Sequence, residues 1–340
     1  MAVRMKDIAR DLGVSVVTVS KVLRNHSDIG EQTRQRVLKR IKDLNYQPNF
    51  AARALVTGRT YTVGLVVPDL VHPFFAQVAK GLSSALRKRG YSLILASSEE
   101  DPELEAEEIG RLLARRLDAM VIASAQRTVE IFRRIEEQKT PYVLVDRQFA
   151  GLPANFVGVD DEAVGELATE HLIAVGCRRI AHIRGPQVST AFGRLEGYKR
   201  ALARHNLGPL AHHVPDATVG DDDSEARGRE AMRQLMKLSP RPDGVFCYND
   251  PAAMGAMNAI LDAGARIPED IAVIGCGNVH YDASLRVPLS SIDQQSAAIG
   301  ERAAKMAMSL IESKTASRPK SVILEPKLVV RASTQRKPRA

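Results

Sequence analysis

The sequence predicts a small all-α head, with a hinge helix, joined to a larger two-lobed α/β core. Three observations point there. Positive charge gathers at the start of the chain, where residues 1–60 hold 12 Lys/Arg against 5 Asp/Glu, whereas residues 61–330 hold 32 against 35. Apolar residues recur at helical spacing over the same first stretch. From Thr62 onward, short Val/Ile-rich runs alternate with helical patterns. A length of 340 residues is ample for two or three domains, and 44% hydrophobic with 26% charged residues is an ordinary globular balance.

The head reads as three helices. In KDIARDLG, Ile8, Ala9 and Leu12 share a face and Gly13 supplies the stop. Ser15 stands where an N-cap belongs, ahead of VVTVSKVL, in which Val19, Val22 and Leu23 share a face. Helix, short turn through glycine, capped helix: this is a helix-turn-helix. A third stretch, EQTRQRVLKRIKDLNY, places Val37, Ile41 and Leu44 at i, i+4 and i+7, enough to close a small core.

The outward face of the second helix then carries Val16, Val17, Thr18, Ser20 and Lys21. Two consecutive valines cannot both face one core, so at least one is exposed. A helix fits the major groove of DNA, where a lysine donates to guanine O6 or N7 and a valine packs on a thymine methyl. Concentrated basic charge is the electrostatic footprint of a nucleic-acid binder, because each Lys or Arg on a phosphate releases counterion. Double-stranded DNA is thus the expected partner.

The strings KDIARDLGVSVVTVSKVLRN and TRQRVLKRIKDLNYQPNFAARALVTGRT closely resemble, without gaps, the head of the LacI/GalR family of bacterial regulators. The resemblance makes that double-stranded DNA an operator and implies that Val16, Val17 and Lys21 choose the operator sequence. It widens the DNA-contact set to Ser15, Thr18, Ser20, Asn25, Tyr46, Asn49, Ala52, Arg53 and Leu55. It assigns 1–49 to the DNA-binding domain, 50–60 to the hinge and linker, and 51–56 to a hinge helix whose Leu55 wedges into the minor groove of a palindromic site. An apolar wedge kinks DNA by partly unstacking a base step. Two turns are too short for a stable helix in water, so this one is expected to order only on DNA and in a dimer.

In the body, VGLVVPD, YSLILAS, AMVIAS, PYVLVD, FVGVD, RIAHIRG, GVFCYND and IAVIGCG read as buried parallel strands, with FFAQVAKGLSSALRKRG and ELEAEEIGRLLARR among the crossover helices. That is too many strands for one comfortable sheet, so two Rossmann-like lobes are expected. Ligands in such sheets bind off the carboxyl ends of the strands. The residues found there are Phe74, Phe75, Asp146, Asp160, Arg184, Asn249, Asp250 and Asn278.

This half resembles the family's periplasmic-binding-protein-like sensor through PDLVHPFF, VDRQ, VGVDDEAVG, GRLEGYKRAL, YNDPAAMGAMNAILDAG and PLSSIDQ. The resemblance implies three chain crossings, with one lobe from 61–161 plus 292–323 and the other from 162–291 plus 324–333. Residues 334–340 are left as a basic tail, expected to be disordered. It implies a small-molecule effector in the interlobe cleft, met by Phe74, Phe75, Asp146, Thr190, Arg194, Asn249 and Asp250. Arg194 leads the set, since its planar fork suits hydroxyls or carboxylates. Three positions depart from the pattern. Val188 stands where purine-sensing relatives carry Arg, Gly277 where Asp is common, and Asp223 near a usual aromatic platform. A sugar-like or other polar metabolite is therefore expected rather than an ordinary hexose or purine.

Other chemistries find little support. IAVIGCGN opens like a dinucleotide fingerprint, but His280 stands where the third glycine belongs. No phosphate-binding loop, nucleophile elbow or zinc-protease helix motif occurs, so no catalytic residue, metal or cofactor is expected. The neighbours His212 and His213 suit no helical metal face, and Asp221–Asp223 lack spaced ligands. Cys177, Cys247 and Cys276 form no Cys-x-x-Cys pair and are expected as buried free thiols. A solute-binding protein is the rival reading. The basic head and the charged, h-region-free start MAVRMKDIARDLG argue against it and for cytoplasmic residence. No apolar heptad occurs in the tail, which favours a homodimer over a tetramer.

Overall fold

The computed structural model describes residues 3–23, 26–46, 54, 57–209, 224–313, 315 and 318–336. Two compact units divide the chain, Met1–Thr60 and Tyr61–Ala340. Of the expected hinge helix at 51–56 only Ala54 is described; Asn25, Asn49, Ala52, Arg53 and Leu55 lie outside the described residues. So do His212, His213, Asp221, Asp223 and residues 337–340.

The head consists of α1 (Met5–Leu12), α2 (Val16–Leu23) and α3 (Glu31–Asp43). Gly13 ends α1 at φ 66, a left-handed conformation that glycine adopts without a Cβ penalty. Ser15 Oγ accepts the Thr18 amide at 3.0 Å and so caps α2. Ile8, Ala9, Val19, Val22 and Val37 are buried together, with Leu12, Leu23, Ile41 and Leu44 packed around them. Arg36 donates to the Leu12 carbonyl at 3.1 Å and Arg40 pairs with Asp11 at 2.6 Å, which ties α3 to the end of α1.

The body begins with β1 (Thr62–Val67), β2 (Ser92–Ser97), β3 (Ala119–Ile122), β4 (Tyr142–Val145) and β5 (Phe156–Val159), alternating with α4 (Pro73–Arg87), α5 (Pro102–Ala114) and α6 (Glu130–Glu137). Next come α7 (Asp161–Ala174), β6 (Ile180–Ile183), α8 (Ser189–Arg204), α9 (Ser224–Leu235) and β7 (Gly244–Cys247). They are followed by α10 (Asp250–Asp262), β8 (Ala272–Cys276) and β9 (Ser290–Asp293). Then α11 (Ser296–Glu312) and β10 (Ser321–Leu324) lead to a last strand, β11 (Lys327–Val329).

Two sheets result, ordered β10-β5-β4-β3-β1-β2 and β11-β9-β8-β7-β6. All pairings are parallel except that β11 runs antiparallel to β9. The chain therefore crosses between lobes three times. Each crossing falls a residue or two from its expected place. Asp161 already opens a second-lobe helix, Asp293 still pairs with Lys327 in the second sheet, and Leu324 still pairs with Val159 in the first. The strands absent from the sequence reading are β9, β10 and β11. The last two are short and half exposed, so they lack the continuous apolar run that marks a buried strand.

Three helix pairs pack unusually close: α4 with α11, α7 with α8, and α9 with α10. Each contact is made by glycines facing the partner's backbone. A Cβ at Gly81 would strike the Ala297 carbonyl, and one at Gly300 the Val78 carbonyl. The same reciprocity joins Gly165 to Arg194, Gly197 to Glu162, Gly228 to Ala252 and Gly255 to Glu225.

The expected disordered tail needs correction at its start, because residues through Arg336 dock on the second lobe. Ser333 Oγ donates to the Val273 carbonyl at 2.6 Å, Thr334 Oγ1 lies 2.7 Å from His171 Nε2, and Arg336 Nε donates to the Pro268 carbonyl at 2.9 Å. These short polar contacts leave no apolar trace in the sequence. All three cysteines are buried and free, and burial raises each thiol's pKa.

Candidate nucleic-acid helix and candidate effector cleft

On α2 the inward residues Val19 and Val22 are 0% and 3% exposed, while Val16 and Val17 are 43% and 62% exposed. Exposing two large apolar side chains side by side has no packing benefit, so the face is open to an external partner. Ser15 Oγ lies 2.9 Å from Thr18 Oγ1, which fixes the first turn. Ser20 is half-buried. Lys21 pairs with Asp28, which lowers the Asp28 pKa through that hydrogen bond. Tyr46 is placed differently from the α2 face: its ring is 9% exposed and belongs to the head core, and burial raises its phenol pKa.

The cleft lies within the second unit, where the carboxyl ends of both sheets meet. Its lining includes Phe74, Phe75, Asp146, Arg194 and Asn249 from the expected set. It adds Asp69, His72, Glu100, Arg147, Tyr248 and Gln294 from residues the sequence reading did not single out. The enclosed volume is only about 50 Å³, against roughly 300–1,000 Å³ for a typical ligand pocket. The lobes are drawn together over it, and the Gln148 amide donates to Ser189 Oγ across the gap at 2.9 Å.

Most groups here are already engaged. Arg194, 3% exposed, donates from Nε to Asp161 at 3.0 Å and from a terminal nitrogen to the Tyr248 carbonyl at 2.6 Å, and its guanidinium lies 4.6 Å from the Tyr248 ring centre. Burial pushes Asp161 up to about 6 despite that arginine. Thr190, fully buried, shares a 2.7 Å hydrogen bond with the Tyr248 hydroxyl and is not among the lining residues. Arg147 holds Glu100 with both terminal nitrogens and also reaches the Ser124 carbonyl at 3.1 Å. Its Nε, buried, has no hydrogen-bond partner among the described residues. Asp146, at φ 65, is 8% exposed, and burial raises its pKa.

Four further expected positions, Asp160, Arg184, Asp250 and Asn278, are not among the lining residues. Asp250 does not line the cleft. Fully buried, it accepts Ser291 Oγ at 2.7 Å and the Val279 amide at 3.1 Å. Gly275 and Gly277 leave the room it fills, since a Cβ at either would meet its carboxylate. Asp160 caps α7 by accepting the Ala163 amide at 3.1 Å, and Asn278 is gripped by Arg331 at 2.6 Å. Beside Asp250 lies Asp282, also fully buried; burial first, then the Asp250 charge, raises its pKa. The cleft residues that the sequence reading missed come from loops scattered along the chain. Their one local signal is position just past a strand end, as with Tyr248.

Among the described residues no group of His, Cys, Asp and Glu is arranged to hold a metal, and no helix is long and apolar enough to cross a membrane.

A compact basic head with an open helix face, in one chain with a two-lobed body built around a polar cleft, defines a DNA-binding transcription regulator with an effector-binding body. Residues 4–49 match the model of bacterial regulatory proteins of the lacI family, and residues 169–334 that of the periplasmic binding protein-like domain. The chain belongs to the lacI family. It is 31% identical over 334 residues to the HTH-type transcriptional repressor PurR of Mannheimia succiniciproducens, covering 98% of each chain. To the ribose operon repressor of Escherichia coli K12 it is 34% identical over 303 residues, 88% of this chain and 90% of that one. The Lac repressor dimer bound to operator and the anti-inducer ONPF superposes with a TM-score of 0.85 at 25% identity, covering 98% and 99%. These relatives are repressors of transcription, not enzymes.

Proposed function

We propose that the chain represses transcription by binding a palindromic operator as a homodimer, on the nucleoid in the cytoplasm, and that a small polar metabolite in the cleft modulates this binding. The observation that carries the reading is the pair Val16 and Val17, exposed on a capped helix whose opposite face is buried. On this reading Val16, Val17 and Lys21 meet base edges, with Ser15, Thr18, Ser20, Asn25, Tyr46 and Asn49 toward the backbone, and Ala52, Arg53 and Leu55 in the minor groove. For Tyr46, whose ring is buried, the phenol rim or the backbone makes that contact. The effector meets Phe74, Phe75, Asp146, Arg194 and Asn249, with Thr190 behind Tyr248 and Asp250 behind the loop at 277–279. A sugar-like effector agrees with the ribose operon relative and with aromatic faces beside guanidinium and carboxylate groups.

Ligand and DNA are coupled because binding at one site biases a lobe arrangement that the other senses. Mobility shift on palindromic operators tests this reading. Leu55→Ala is expected to weaken specific DNA binding while a thermal-shift screen of metabolites is unchanged. Equal loss of both would contradict two separate sites.

A further inference from the structure

Asp250 opens α10, and Asp282 opens the 3-10 turn Asp282–Ser284 between β8 and β9. Both side chains are fully buried. Asp250 accepts Ser291 Oγ on one oxygen and the Val279 amide on the other. Asp282 has no such support: both of its oxygens are buried without a hydrogen-bond partner among the described residues. Arg331 Nη1 stands 3.9 Å from Asp282 Oδ2, and its hydrogen bonds go instead to the Leu289 carbonyl at 2.7 Å and, from Nη2, to Asn278 at 2.6 Å. Two ionised carboxyls here would set acceptor against acceptor, and like charges sharing one dry site raise the pKa of one of them strongly. A proton on Asp282 turns the contact into a hydrogen bond. Burial first, then the Asp250 charge and the hydrogen bond between the two carboxyls, raise the Asp282 pKa. Burial raises Asp250 too, while hydrogen bonds from Ser291, Val279 and Asp282 pull it back.

We propose that Asp282 carries a proton and donates it to Asp250, forming a latch that ties the loop after β8 to the start of α10 and opens in alkali. The latch sits directly behind one wall of the cleft, because Asn249 and Cys276, both lining residues, are the neighbours of Asp250 and Gly277 in the chain. Loss of the proton leaves two buried negative charges face to face, and the 3-10 turn moves toward water to separate them. The Asp282 carbonyl, which accepts the Leu289 amide at 3.0 Å, goes with it. The other titratable groups facing the pair stay neutral around pH 7. Burial, then the charges of Asp250, Asp282 and Glu225 on α9, raise the Tyr281 phenol. Burial first, with the Asp250 charge adding to it, raises the Cys247 and Cys276 thiols at the ends of β7 and β8. In the open turn Asp282 is an ordinary carboxyl, whereas in the latch its pKa is raised. The latch is therefore fully formed in acid and weakens by about tenfold per pH unit above the ordinary carboxylate range, until Asp282 ionises in place.

Infrared spectra of the full-length protein near neutral pH test the proton. The expected result is a carboxylic-acid carbonyl component that is absent from Asp282→Asn and that the parent loses in alkali. No component lost on substitution overturns the proposal. Amide hydrogen exchange at Leu289 tests the latch. The amide of Asp282→Asn donates to Asp250 at every pH, so this variant is latched permanently. Protection of Leu289, corrected for base catalysis of exchange, is expected to fall by about tenfold per pH unit above neutrality in the parent and to stay level in Asp282→Asn. Equal slopes in the two proteins, or no slope in either, overturn the proposal. Neither measurement uses DNA or metabolite, so the result stands apart from the repressor reading.

Discussion

The outer face of α2 and the interlobe cleft, the two contact surfaces of the function proposed above, are built in opposite ways. On α2 the valines stand 43% and 62% exposed, over a core that does not need them. In the cleft Arg194 and Asn249 are 3% and 7% exposed, Thr190 is fully buried behind Tyr248, and most of their polar atoms have a protein partner. A surface that reads a long external polymer keeps its contacts unmade until the polymer arrives. A cleft that senses a small molecule must exchange internal bonds for ligand bonds, so recognition and conformational change share the same atoms. Substitutions on the helix should therefore leave folding alone and alter sequence choice. Substitutions in the cleft should disturb both folding and sensing.

The sharpest way to break this contrast is Arg194→Ala. It leaves Asp161 buried without its guanidinium and frees the Tyr248 carbonyl. A stability loss of about 3–5 kcal/mol is expected in urea unfolding, together with loss of effector response. A change below 1 kcal/mol would mean that the cleft is no more self-satisfied than the surface. Next in size, Lys21→Ala should alter operator preference at one base position by about 1–3 kcal/mol, measured by selection from random duplexes. Folding stability should hardly move, because the Lys21–Asp28 pair is exposed. An unchanged sequence profile would remove Lys21 from base readout.

The smallest effect concerns pH. The head's ion pairs are exposed, whereas the body buries Asp282 beside Asp250. A carboxyl whose folded pKa is raised stabilises fully below the unfolded carboxylate range and loses that contribution as pH rises toward its folded value. Asp282→Asn should thus match the parent in acid and exceed it increasingly through neutral and alkaline pH. The gain should reach at least about 1.4 kcal/mol, the equivalent of one pKa unit. Urea midpoints across pH decide it; a gap that narrows with pH would show Asp282 ionised in place.

The head was legible because each of its signals is local. Gly13 ends a helix, Ser15 caps the next, and the spacing of Val19 and Val22 turns one face inward. The two-lobed body was legible from its Val/Ile runs for the same reason. The cleft was legible only in part. Phe75 and Asn249 came from their place past a strand end, and Arg194 through likeness to relatives. His72, Glu100, Arg147 and Tyr248 come together from distant loops, which no periodicity encodes. Asp250 shows the opposite error: a carboxylate just past a strand end looks like a ligand group until Ser291 and the Val279 amide are seen to occupy it.

The six reciprocal glycines carry a consequence for how this sequence can change over generations. They bind nothing and hold no charge, yet even a methyl group at any of them would collide with a backbone carbonyl that cannot swing aside as a side chain does. Overpacking of that kind costs roughly 1–3 kcal/mol. The loops that choose the ligand are free to drift toward new metabolites, while these helix crossings are closed to all nineteen alternatives. A lineage diversifying what it senses would carry the six glycines along unchanged, as fixed points around which the rest of the text is rewritten.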